Sequence, residues 1–289
     1  MKIIQTKGRF WIIAVALTSI AATLSGCSGA QAKQNEKTVV QDIQNRGELR
    51  VGVAPAAPHV YKDPSTNEWR GTYVEFTKYW AKTLGVKITF VDTSWDNIVA
   101  GLQAGKYDVA AALNATPTRS LAVAFSDPLV SQISAYALNP SKTPVKNWSE
   151  LNNANYTICV MSGTAQDKAI TNLPGVRAKV QRLPDQDSCR LALTSGRINA
   201  FLDDWWGHGP FVKANPSLKI LFPETELNRE GIAFGLPITS SWTDVQAINT
   251  AISEWKATGM LDKSMAENNA VDPVQFAMQP VPAYVQNAK

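Results

Sequence analysis

Arg119 stands in the stretch "NATPTRSLAVAFSDP", residues 114–128, directly after a helix-start signal. Thr116 has the chemistry of an N-cap, Pro117 fits the first helical position, and Arg119 falls in the first turn. A cation there opposes the positive end of the helix dipole. An anion held jointly by the helix terminus and the guanidinium removes the conflict; a surface arginine beside a loop is the other reading. Two further stretches supply complementary groups. In "VMSGTAQ", residues 160–166, Gly163 permits a tight turn, and the N–H groups of Thr164 and Ala165 open a helix as a second anion-binding nest. "INAFLDDWW", residues 198–206, delivers Asp203 and Asp204 at a strand end. Together these make a receptor for a zwitterion: an α-carboxylate on Arg119 and the Thr164 and Ala165 amides, an α-ammonium on an aspartate. Asn114 and Thr116 arrive on the same turn as Arg119.

The elements that must carry these groups alternate. "LRVGV" (49–53) reads as a strand, "TYVEFTKYWAKTLG" as an amphipathic helix stopped by Gly85, and "VKITFV" as a strand. "WDNIVAGLQAG" reads as a helix ending at Gly105, and "YDVAAAL" as a buried strand. This alternation implies a parallel sheet with crossovers. It restarts with "YTICVM" (156–161), a helix from about Thr164, "VRAKVQRL", a helix through "SCRLALTSG", and "INAFL". "GIAFGL" (231–236) follows, then a helix with Trp242, Val245, Ile248, Ile252 and Trp255 at helical spacing, read as a core stripe and stopped by Gly259. The expected fold is therefore α/β with two lobes, each a mostly parallel sheet flanked by helices. The second lobe is inserted into the first, entered near "SAYALNP" (134–140) and left near "EGIAF" (230–234). Two strands crossing between lobes form a hinge, and the cleft lies at the carboxyl ends of the strands.

Lys2, Lys7 and Arg9, then an apolar stretch from Phe10 to Leu24 and "LSGC" at 24–27, describe an exported chain with a removable signal. The apolar stretch is short for a membrane span. Residues 28–38, "SGAQAKQNEKT", are polar and read as a flexible tether. The signal takes three of the 28 basic residues and none of the 24 acidic ones, leaving a mature charge of +1. With no Lys/Arg run in addition, nucleic acid is excluded as a partner. Cys159 and Cys189 remain in an oxidising compartment, where a disulfide is permitted, yet both lie in apolar contexts that suit buried thiols. The expected organisation is a signal at 1–26, a tether at 27–38, lobe 1 at 39–135 and 232–289, and lobe 2 at 136–231.

Four motifs in register carry a resemblance: "RGELRVGV" (46–53), "TPTR" with "FSDP", "SGTA", and "SGRINAFLDD" (195–204). The mature chain resembles the family 3 extracellular solute-binding proteins, the polar amino acid receptors of ABC importers. "LSGC" resembles a bacterial lipobox, which implies lipidation at Cys27. The resemblance implies a hinge-closing periplasmic-binding-protein-like fold, with Arg119 and the Thr164 and Ala165 amides on the ligand carboxylate. It implies Asp204, rather than Asp203, on the ammonium, and Trp95 packed against the ligand. Gly163, Asn114, Thr116, Ala112 and His59 complete the expected ligand-binding set. It further implies membrane permease and ATPase subunits as partners, a lipid anchor in the cell envelope, a monomer, and no cofactor or metal.

Departures from the family pattern bear on the ligand. The first loop, "VAPAAPHV", has alanines where an aromatic is usual, His59 replaces a phenylalanine, and Ala54 stands where receptors for basic amino acids often place an aspartate. "GTYVE" replaces the usual acidic helix start, and Asn114 replaces a small hydroxyl residue. These changes point to a neutral amino acid or a related small carboxylate. No serine sits in a nucleophile elbow, and no Cys/His cluster has metal spacing. The enzyme alternative is a cyclohexadienyl dehydratase, which shares this fold and needs a general acid near the leaving hydroxyl. After Asp204 the chain offers "WWGHG" without a glutamate, so the expectation is a non-enzyme. A sensor domain fused to a kinase is likewise not expected.

Overall fold

The structure, a computed structural model, describes residues 38–222 and 229–269. The expected signal and the expected lipidation at Cys27 lie outside the described residues. The chain opens with α1 (Val39–Arg46), β1 (Glu48–Val53) and a small hairpin of β2 (Tyr61–Lys62) and β3 (Trp69–Arg70). Next come α2 (Thr72–Leu84), β4 (Lys87–Asp92), α3 (Ile98–Gln103), β5 (Val109–Asn114), α4 (Pro117–Ser120), β6 (Val123–Phe125) and β7 (Val130–Leu138). The inserted part holds α5 (Trp148–Leu151), β8 (Thr157–Met161), α6 (Ala165–Asn172), β9 (Lys179–Leu183), α7 (Gln186–Thr194), β10 (Ala200–Asp204), α8 (Trp205–Ala214) and β11 (Lys219–Leu221). β12 (Arg229–Pro237), α9 (Trp242–Ala257) and α10 (Met260–Asn269) complete it.

Strand order along the main sheet path is β4-β1-β5-β12-β7-β10-β8-β9. β1 lies parallel to β4 and β5, and β8 lies parallel to β9 and β10, as the alternation of strands and helices requires. Between these parallel halves run two antiparallel strands. β12 pairs with β5 on one side and with Val130–Ile133 of β7 on the other. β7 then continues to pair with β10, Ser134 opposite Asp204. Ile133 and Arg229 face each other where the chain crosses. The two halves are thus joined by one two-stranded ribbon, and the fold is periplasmic-binding-protein-like.

Two apolar clusters fill the molecule. In the first, Phe76 of α2 packs its ring 5.0 Å from Phe234 of β12 and 5.5 Å from Trp255 of α9. In the second, Tyr136, Ile158, Val160 and Leu202 are fully buried, and Tyr136 stacks on Trp148. The stripe on α9 is confirmed at Ile248, Ile252 and Trp255 but not at Trp242, which is 74% exposed. Trp242 is the first residue after the Ser241 cap and lies ahead of the turns that reach the core. The helix expected after Thr116 is a four-residue turn. Its dipole is correspondingly small, so the repulsion expected for Arg119 is weaker than the sequence suggested. α8 was not expected at all, because "WWGHGPFVKA" contains two glycines and Pro210.

Candidate functional site

The carboxyl ends of β1, β5, β8 and β10 converge on a cavity. His59, Trp95, Ala112, Asn114, Thr164 and Asp204, all expected site residues, line it together. β5 reaches it through a bulge: between Ala110 and Leu113 it spends one residue more than β12 does between Gly235 and Ala233. Ala112, at φ 56°, takes the left-handed conformation that absorbs the extra residue. Such backbone strain in a non-glycine residue gathers at ligand sites.

Arg119 is 4% exposed and spans the cleft. Its Nη1 donates to the Asn114 carbonyl at 3.3 Å, and its Nη2 donates to the Gly163 carbonyl on the opposite half at 3.1 Å. Burial lowers its pKa to about 10, against the opposing pull of Glu230. Arg119 and Gly163 line, with Trp95, a second cavity rather than the first. Trp95 is the wall common to both, its indole N–H donating to the Pro55 carbonyl. Gly163 has φ 76°, and a Cβ there would meet Asp96 of the facing half at 2.6 Å. Ser162 Oγ donates to Asp96 Oδ1 at 3.2 Å beside it.

Thr164 caps α6 through its hydroxyl, which accepts from the Asp167 N–H and donates to the Met161 carbonyl. Its own N–H makes a long turn bond to Met161, 3.4 Å, so it is less open than expected. Ala165, the first helical residue, carries an N–H that no intrahelical carbonyl can reach. Thr116 serves its turn as N-cap, accepting from Arg119 N–H at 3.2 Å, and stands outside both linings.

Asp204 Oδ1 accepts from the Gly207 N–H at 2.6 Å as the cap of α8, and Oδ2 lies 3.6 Å from His59 Nε2. Burial works against its charge, but the His59 imidazole and the Gly207 amide outweigh it and hold the pKa below the usual carboxylate range. Asp203, one residue earlier on β10, lines the same cavity as Asp204. The strand ends there, and its carboxylate folds back, accepting from the Asp204 N–H at 2.8 Å and from Gln186 Nε2 at 2.9 Å. Burial, reinforced by the Asp204 charge, raises its pKa to about 7. Asn114 Nδ2 and His59 Nδ1 are buried without a hydrogen-bond partner, and both residues face the cavity. Buried donors and acceptors of that kind await a ligand or water.

Other residues of the site carried no readable signal. Gln166, Met161 and Ala56 line the cavity; Gln166 follows "SGTA" directly and adjacency alone marked it. Ala54, read from the sequence as facing the ligand, is fully buried outside that lining. His208 is fully buried, its Nε2 3.0 Å from the Ala135 carbonyl, so it belongs to the core. Cys159 and Cys189, left open by the sequence, are joined in a disulfide with Cα atoms 6.0 Å apart. Among the described residues no group of three or more His, Cys, Asp or Glu is placed to hold a metal, and no helix is long and apolar enough to cross a membrane.

Residues 49–268 match the family model for bacterial extracellular solute-binding proteins, family 3. A probable histidine-binding protein of Campylobacter jejuni is 29% identical, over 74% of this chain and 82% of its own length. The L-cystine-binding protein TcyA of Bacillus subtilis is 25% identical, over 87% and 94%. Among solved structures, an ancestral amino acid-binding protein described as a precursor of cyclohexadienyl dehydratase superposes with a TM-score of 0.71 at 27% identity, covering 80% of this chain and 99% of that one. The arginine-bound ABC transporter substrate-binding protein AbpA of Streptococcus pneumoniae does so with a TM-score of 0.73 at 25% identity, covering 80% and 98%.

Proposed function

Since the chain belongs to the family 3 bacterial extracellular solute-binding proteins, we propose that it captures one neutral amino acid, or a related small carboxylate, between its lobes for an ABC importer. The observation that carries this reading is the set of buried, unpartnered polar atoms of Asn114 and His59 facing the cavity beside the Asp204 carboxylate. The ligand's ammonium sits on Asp204, and its carboxylate on Arg119 and the Ala165 amide. The described residues of 39–135 and 232–289 make up lobe 1, those of 136–231 make up lobe 2, and the β7/β12 ribbon is the hinge. Neutral ligands are preferred because the cavity wall at the first loop is Ala56, with no fixed carboxylate, and Asp203 is near neutrality. Cys27 carries the lipid that holds the protein at the envelope, and the permease and ATPase subunits receive the ligand.

The test is a thermal-shift screen of the protein against the twenty amino acids, cystine and related small carboxylates, followed by calorimetry. A ligand that binds the native state alone raises the midpoint. Neutral compounds are expected to lead; arginine or lysine at the top overturns the ligand preference, and no hit at all overturns the receptor reading. A second reading, a dehydratase on the same fold, draws on Asp203, a carboxyl whose pKa of about 7 suits a general acid in the cavity. Incubation with prephenate or arogenate separates the two, since only the enzyme turns them over.

A further inference from the structure

Gln186, the first residue of α7 and 5% exposed, makes an unusually complete set of hydrogen bonds for a glutamine. Its Oε1 accepts from the Ala57 N–H at 3.1 Å, and its Nε2 donates to the Ala57 carbonyl at 3.1 Å. The same Nε2 donates to Asp203 Oδ2 at 2.9 Å. Both hydrogens of the amide and its oxygen are therefore used. Ala57 belongs to the loop after β1 in lobe 1, next to the cavity wall at Ala56, whereas Gln186 belongs to lobe 2. The side chain thus reads both main-chain groups of one residue across the cleft, as a strand partner would.

Two neighbouring features hold that pair in place. Gly207 of α8 leaves the space: a Cβ there would stand 2.8 Å from Gln186 Nε2 and 3.3 Å from the Ala57 carbonyl. Three residues along α7, Cys189 is bonded to Cys159 of β8, which ties the base of Gln186 to the lobe 2 sheet. Asp203 fixes the amide's orientation from the opposite side, which explains why a carboxylate that holds no expected ligand group lines the cavity.

We infer that Gln186 is the interlobe latch, a positioning residue that weights the closed arrangement with or without ligand and so sets how long ligand is retained. The inference rests on the hinge-closure reading above. The pair needs no ligand atom, and it can form only when loop and helix meet, so its hydrogen bonds add to the closed state alone. Exchanging such a pair for water is worth on the order of tenfold in the closing equilibrium.

The test uses Gln186→Ala and Gly207→Ala, the second wedging a methyl against the same pair. L-cystine and L-histidine serve as probes in stopped-flow binding, and small-angle scattering is recorded on the ligand-free proteins. Both variants are expected to release the bound probe about tenfold faster, with association within about twofold of the parent, and to show a larger radius of gyration without ligand. A purely structural role would lower the melting midpoint without splitting the two rate constants. Unchanged release together with unchanged scattering in a folded variant overturns the latch. If neither probe binds the parent protein, the scattering comparison alone decides the latch, and the ligand reading is decided by the thermal-shift screen. If one variant does not fold, the other carries the test.

Discussion

The Arg119 guanidinium is buried and hydrogen-bonded to two main-chain carbonyls, one on each lobe. Carbonyls neutralise no charge, so a ligand carboxylate that replaces one of them gains a charge-assisted bond. Arg119→Ala is expected to weaken ligand binding by about 10- to 100-fold, the worth of one such bond. Asp204→Asn is expected to weaken it by a similar factor while leaving the fold intact, because asparagine caps a helix as aspartate does. Asp203→Asn, which keeps an acceptor for Gln186, is expected to change affinity by less than about threefold. Calorimetry on the three variants checks this, and a ranking with Asp203 first would show that the ammonium sits on the other carboxylate.

At the level of elements, the disulfide does what packing alone does not. It joins the middle of α7 to β8 across a separation of 30 residues. A loop of that size, once closed, restricts the unfolded chain by about 3.6 kcal/mol. Cys159→Ala with Cys189→Ala is expected to lose about 2–4 kcal/mol in urea unfolding, and the parent protein with reductant is expected to match it. The strands "LRVGV" and "VKITFV" and the stop at Gly85 were legible because alternation and a left-handed glycine are local properties. Asn114 and Asp204 were legible because each ends a strand, and Arg119 because it follows a Thr-Pro helix start. What stayed hidden depends on distant partners. The bulge at Ala112 exists only in the register that β12 imposes, and the Gln186–Ala57 pair links residues 129 apart. α8 forms against its own propensity because its residues Gly207 and His208 are buried, a tertiary effect that no local pattern announces.

For the whole molecule, two buried groups set opposing responses to pH. Asp203 rises from 3.8 to about 7 through burial and the neighbouring Asp204 charge. Between those values the folded protein keeps a proton that the unfolded chain gives up, so stability falls as pH rises across that window. His208 drops from 6.5 to about 4 through burial. There the unfolded chain takes up a proton that the folded protein refuses, so stability falls as pH drops from 6.5 towards 4. The two slopes oppose each other over the shared range. The parent protein is expected to have a nearly flat stability between about pH 4.5 and 6.5. Asp203→Asn should expose the histidine slope and weaken on acidification; His208→Gln should expose the aspartate slope and strengthen on acidification. Denaturant midpoints at three pH values across the range decide it, and parallel profiles for all three proteins would contradict the assignment.

The crossing at Ile133 and Arg229 also has a bearing on how such a molecule can be rebuilt. The two residues are cross-strand partners, so the segment between them leaves and returns within one strand spacing, about 4.8 Å. Its entire length is a cassette hung from a single doorway. A designer can exchange that cassette for another of different shape, or splice a fluorescent reporter at the threshold, without rerouting the remaining chain. The same doorway is where a bending motion of the cassette would be transmitted into the reporter, which makes this pair of residues the natural place to read occupancy as light.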